Sequence, residues 1–174
     1  IVEAYKNIRT NIIALMTKKD AKVLAISSAN ASEGKSTTAL NIAITVSQLE
    51  KKVLIIDADA HRPSLHKKLK IENNKGILNL IAEDLELKDI IHKHNDYLDV
   101  LTSGTNTTKP SELLNSEKFD ELLKEFTEKY DYIIIDCPPS LGMLTVNALT
   151  ISDGIVTPMQ CEFYSLEGMS QLFN

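Results

Sequence analysis

The chain has 174 residues, 43% of them apolar and 25% charged, which fits one globular domain with a core of its own. Its net charge of −5 gives no support to an overall nucleic-acid-binding surface, and two cysteines, Cys137 and Cys161, make no disulfide framework. The apolar runs are too short for a membrane-spanning helix, and no secretory signal is visible. The chain begins at Ile1 and stops at Asn174 inside a helical-looking run, so residues 1–174 are expected to be a single domain truncated at both ends.

Residues 1–17 are predicted as one helix, because Tyr5, Ile8, Ile12 and Leu15 recur at helical spacing. Glu3, Lys6 and Arg9 form a charged stripe at i, i+3 and i+6, which is either a solvated face or a contact surface. Residues 22–27 form the first strand. It runs into Ala29-Asn30-Ala31-Ser32-Glu33-Gly34-Lys35-Ser36-Thr37, and a longer amphipathic segment follows. A strand, a tight loop ending Gly-Lys-Ser and a helix make a phosphate-binding loop, although Ala29 stands where the strict pattern has its first glycine. Backbone N–H groups of residues 29–37 curl round the β-phosphate, and the helix start after Gly34 adds unpaired donors and a positive dipole end. Lys35 reaches the β- and γ-phosphates, and the Ser36 hydroxyl ligates Mg²⁺.

The helix over 36–50 leads to Val53–Asp57, apolar enough to be a buried parallel strand. Short helices over 77–81 and 87–91, a strand over 97–101 and a helix starting at Pro110 come next. Phe119, Leu122, Leu123 and Phe126 mark the apolar face of another helix, and Tyr132–Asp136 is a third buried strand. A helix over 142–150, a strand over 153–158 and a helix over 165–174 complete the chain. The alternation predicts an α/β fold, a mostly parallel sheet covered by helices on both faces, with ligands bound beyond the carboxyl ends of the strands.

Three acids fall at or just past strand ends: Asp57, Asp59 and Asp136. Mg²⁺ between phosphates takes oxygen ligands and keeps several waters, so Ser36, Asp57 and Asp136 are the metal candidates, directly or through water. Lys35, Asp57, Asp59 and Asp136 are the catalytic candidates. Either Asp57 or Asp59 can accept a proton from the attacking hydroxyl or water, and Asp136 orients the water or the metal. A basic cluster of His61, Arg62, His66, Lys67, Lys68 and Lys70 follows; it is either a solvated face or a contact for phosphate or acidic peptide. His92 and His94 lack further ligand partners in sequence, and Cys137 lacks a histidine partner. Asn74-Lys75 is followed by Gly76-Ile77, so the guanine-reading Asn-Lys-x-Asp sequence is absent and adenine is the expected base.

These motifs resemble the bacterial tyrosine kinases of capsule and exopolysaccharide synthesis over residues 3–139. Glu3 to Arg9 looks like their N-terminal Glu-x-x-Arg-x-x-Arg helix, with Lys6 for the first arginine. Ser27 to Thr37 resembles their Walker A, with Ala31-Ser32 for the usual Pro-Gly. The run from Val53 to His66 resembles their Walker A′, with His61 where an arginine is common. Gly76-Ile77, Leu98-Asp99-Val100-Leu101 and Pro110-Ser111-Glu112-Leu113-Leu114 continue the likeness. Tyr130 to Pro139 resembles the Walker B, with Cys137 for threonine. From Asp136 onward, Asp136 to Gly142, Thr145 to Leu149 and Pro158 to Gly168 resemble the ParA/Soj partition ATPases. Both families are deviant Walker P-loop ATPases. The partition and MinD-type proteins carry a second lysine at the position of Asn30, and its absence fits the kinases better.

The resemblance implies an ATP- and Mg²⁺-dependent, autophosphorylating protein-tyrosine kinase that regulates capsular or exopolysaccharide synthesis. The alternative is a ParA/MinD-like ATPase acting as an ATP-driven dimerisation switch. It also implies a homo-oligomer contacting through Glu3, Lys6 and Arg9, a membrane adaptor that activates the kinase, and protein tyrosine substrates. The location implied is cytoplasmic, with recruitment to the inner face of the membrane. Residues 140–174 contain no Lys or Arg, which argues against nucleic acid as a partner of that part.

Overall fold

The computed structural model describes residues 2–28, 30, 32–83, 85–105, 110–114, 116–139 and 152–159. The helices expected over 142–150 and 165–174, Cys161, and most of the partition-like stretch lie outside the described residues.

Helix α1 (Val2–Lys18) precedes β1 (Val23–Ile26), α2 (Lys35–Ser47), β2 (Val53–Asp57) and the short helices α3 (Leu65–Leu69) and α4 (Ile77–Ala82). A 3₁₀ turn at Leu87–Asp89, β3 (His92–Asn95), β4 (Leu98–Leu101), α5 (Pro110–Leu113), α6 (Glu117–Lys129), β5 (Tyr132–Asp136) and β6 (Gly154–Val156) follow. The described strands form one sheet in the order β3-β4-β2-β5-β1-β6, parallel except for the β3–β4 pair. This is the expected fold, with one strand added: β3 is a polar, antiparallel edge whose His92, Lys93, His94 and Asn95 carry no apolar alternation. The helix expected over 87–91 is only the 3₁₀ turn.

The period-2 geometry of the strands divides their side chains between two cores. Leu54, Ile56, Ile133 and Ile135 pack with Ile77, Leu80, Phe119 and Phe126 of α4 and α6. Val53, Ile55 and Ile134 pack with Ile42, Ala43 and Val46 of α2 and Leu65 of α3 on the opposite face. By the same alternation Asp57 and Asp136 point to the α2 side.

Local signals set the helix ends. The Ser116 hydroxyl accepts from the Phe119 N–H at 3.3 Å, with Glu117 and Asp120 in the first turn of α6. The start of α2 is different: Gly34 at φ 86 sits at the N-cap and provides no side-chain cap, so first-turn N–H groups are left for a ligand. Gly76 is required for close approach, because a Cβ there would stand 2.2 Å from the Thr102 carbonyl oxygen. It locks the start of α4 onto the loop after β4.

Candidate nucleotide site

The loop between β1 and α2 is held by its own side chains. The Ser28 hydroxyl donates to the Asn30 carbonyl at 2.7 Å, and Glu33 accepts from the Asn30 N–H at 3.1 Å and from its amide at 3.4 Å. Ser32 adopts φ 66 and Gly34 φ 86, two left-handed residues that curl the backbone over the start of α2. Lys35 is buried at the base of this curl. Ala29 and Ala31 lie outside the described residues.

A cavity of about 330 Å³ opens above the loop. Ser32, Gly34, Lys35, Ser36 and Thr37 line it from the loop and α2, and Asp59, Arg62, Ser64 and Lys68 from the segment after β2. Five of the nine expected loop residues, Ser32, Gly34, Lys35, Ser36 and Thr37, therefore share one cavity with Asp59, and two cations from the basic cluster join them, while Asn30 and Glu33 do not line it. Lys68 Nζ donates to the Thr37 hydroxyl at 2.8 Å. In the sequence Arg62 and Lys68 stand out only as members of the basic cluster and Ser64 not at all; only a tertiary contact separates Lys68 from its neighbour Lys67, which does not line the cavity.

Asp57 and Asp136 lie beneath, both fully buried. Asp57 Oδ1 accepts from the Asp59 N–H at 3.2 Å, and Oδ2 from the Ser64 and Leu65 N–H groups at 2.9 and 3.0 Å. It thus caps α3 from the end of β2. Burial pushes its carboxyl up to about 6 against the pull of those three donors. Asp136 has no hydrogen-bond partner for either oxygen among the described residues. Burial, then the neighbouring Asp57 charge, push it up to about 7. The Ser36 hydroxyl and the Lys35 ammonium are close enough to draw it down, yet the hydroxyl does not reach hydrogen-bonding geometry.

A buried carboxylate with both oxygens unmatched, beside a hydroxyl and an ammonium, is costly unless a cation or its water shell completes it. The donor set is all oxygen and suits a hard divalent ion such as Mg²⁺. Asp136 and Ser36 fit that role directly. Asp57 has most of its acceptor capacity committed to backbone and fits as the group that fixes the loop. Asp59 accepts from the Arg62 N–H at 2.9 Å through Oδ1 and lines the cavity.

Three other features stand apart from the cavity. Burial raises the Cys137 thiol and so disfavours its thiolate. Glu3 and Lys6 pair at 3.5 Å on the exposed face of α1. Arg9 turns inward, its guanidinium donating to the Thr45 carbonyl of α2 at 3.0 Å.

A family model described as an AAA domain matches residues 21–174. The tyrosine-protein kinase YwqD of Bacillus subtilis is 39% identical over 156 residues, covering 88% of this chain and 66% of that protein. The sporulation initiation inhibitor protein Soj of Bacillus subtilis is 36% identical over 162 residues, covering 88% of this chain and 64% of that protein. The chain thus spans about two thirds of the length of these curated relatives. The kinase domain of the Escherichia coli tyrosine kinase ETK superimposes with a TM-score of 0.92 at 26% identity, covering 99% of this chain and 68% of that one. The chain belongs to this AAA-domain family of P-loop proteins, alongside relatives named as a tyrosine-protein kinase and as Soj.

Proposed function

We propose that the chain is the nucleotide-binding and phosphotransfer domain of a bacterial protein-tyrosine kinase, one that autophosphorylates with ATP and regulates capsular or exopolysaccharide synthesis. The observation that carries the reading is the unmatched, buried Asp136 carboxylate beside Lys35 and Ser36, under a cavity whose wall presents Asp59. The uncapped N–H groups of α2 and Lys35 bind and orient the phosphates of ATP. Mg²⁺, when bound, neutralises phosphate charge, and Ser36 and Asp136 hold it directly or through water. Asp59 takes the proton of a tyrosine hydroxyl as that oxygen bonds to the γ-phosphorus. The bond from that phosphorus to the β,γ-bridging oxygen breaks, and ADP leaves. Asp57 positions Asp59 and α3.

Assembly of copies through α1 and an adaptor at the inner face of the membrane belong to the same proposal. No described helix is long and apolar enough to cross a membrane.

A second reading, a ParA/MinD-like ATPase with water as acceptor, is favoured by the 36% identity to Soj. Against it, the Asn30 side chain folds onto Glu33 and brings no cation to the loop. Incubation with Mg²⁺ and γ-labelled ATP, a tyrosine-rich peptide, and Lys35→Met as a blank separates the two. Label on tyrosine that vanishes in the blank is the expected result. Released phosphate without phosphotyrosine transfers the chain to the ATPase reading.

A further inference from the structure

The cavity is acid-rich at its base. Asp59 lines the cavity, and the buried Asp136 lies within reach of the Asp57, Asp59 and Lys35 charges, so a polyphosphate entering the site meets carboxylates as well as the one loop ammonium. In a partly enclosed site such repulsion is screened far less than in open solvent. Two cations on the wall offset it: among the described residues lining the cavity, Arg62 and Lys68 are the positive groups besides Lys35.

Lys68 is placed by a chain of specific contacts. Asp57 fixes the start of α3 through the Ser64 and Leu65 N–H groups, and Leu65 is fully buried in the core beneath. One turn on, this sets Lys68 over the first turn of α2, where its ammonium donates to the Thr37 hydroxyl at 2.8 Å. An ammonium has three donors, and Thr37 takes one of them. Lys67, exposed on the same short helix, lies outside the cavity lining.

We propose that Lys68, with Arg62 beside it, is a phosphate-binding residue of this site: a cationic wall on the α3 side that holds the polyphosphate of the nucleotide against the loop. This rests on the nucleotide reading above. It makes α3 part of the binding site rather than a solvated connection, and it gives Asp57 the task of positioning that wall.

The test is equilibrium titration of the 174-residue chain with a fluorescent ATP analogue and Mg²⁺ at low and high salt. Lys68→Met raises Kd about tenfold at low salt and flattens the salt dependence, as loss of a charge-assisted phosphate contact does. Lys68→Arg stays within about threefold of the parent, because the charge is kept. Arg62→Gln weakens binding in the same direction, as an independent variant. Lys67→Met, the matched control, binds like the parent, and melting of all four without nucleotide stays near the parent value. A Lys68→Met protein that binds like the parent overturns the proposal and leaves the nucleotide reading standing. Equal weakening by Lys67→Met also overturns it, since the effect is then diffuse charge. If the parent itself binds no nucleotide, the reading falls and the proposal falls with it.

Discussion

Asp57 and Asp136 are register partners at the carboxyl ends of β2 and β5, and only one of the two carboxylates has its oxygens matched. Adjacent parallel strands place such partners about 5 Å apart, and the Asp57 charge raises the cost of ionising Asp136. Three backbone donors stabilise Asp57, whereas Asp136 is left for something the protein must bind.

The first prediction follows from that asymmetry. Both folded-state values, about 6 and about 7, lie above the ordinary carboxylate value of 3.8, so the neutral acids are favoured in the fold. Without ligand, the stability these two groups contribute is therefore full below about pH 4, declines as pH rises through about 7, and stays lost above it. Asp136→Asn removes the unmatched charge, raises the melting temperature at pH 7.5 by roughly 3–9 °C and blunts the decline. Mg²⁺-dependent nucleotide binding is lost in the same variant. Calorimetric melts from pH 4 to 8 check this, and an Asp136→Asn protein that melts lower than the parent at pH 7.5 defeats it.

The second prediction has the opposite sign at the neighbouring position. Asp57→Ala strands the Asp59, Ser64 and Leu65 N–H groups in a buried turn and costs about 2–4 kcal/mol. Asp57→Asn keeps one acceptor oxygen and costs less. Urea unfolding measures both, and exchange protection of the Leu65 amide falls in Asp57→Ala ahead of the sheet. If Asp57→Ala stabilises the chain as Asp136→Asn does, the capping role is wrong.

What the sequence made legible follows from how local each signal is. Val53–Asp57 and Tyr132–Asp136 are continuous apolar runs ending in acid, and both match their expected bounds. Gly34-Lys35-Ser36 announces the loop without tertiary knowledge. Strand β3 was missed because an exposed edge strand of His92, Lys93, His94 and Asn95 needs no apolar alternation. The division of work between Asp57 and Asp136 was not legible either. Two of the three donors to Asp57 lie seven and eight residues downstream and reach it only after the chain has turned back. The same return places Lys68, but not Lys67, in the cavity. In α1 the stripe Glu3, Lys6 and Arg9 reads as one surface, yet its last member is spent on α2.

The third prediction separates tether from contact surface in that stripe. Arg9 joins α1 to α2 through the Thr45 carbonyl, three turns along from the loop, and the Tyr5 hydroxyl meets Thr38 at 3.4 Å near the loop itself. Arg9→Ala therefore lowers stability by about 1–2 kcal/mol through the lost charged hydrogen bond and packing, whatever the assembly state. The Glu3–Lys6 pair is exposed, so neutralising it as Glu3→Gln with Lys6→Gln changes stability by about 0.5 kcal/mol or less. That double variant leaves Arg9 in place and is the clean probe of contact between copies. Sedimentation shifts towards monomer with unchanged melting if the stripe binds a second copy. Unchanged sedimentation removes the stripe from the interface, and a fall in melting equal to that of Arg9→Ala shows that all three residues serve the α1–α2 packing instead.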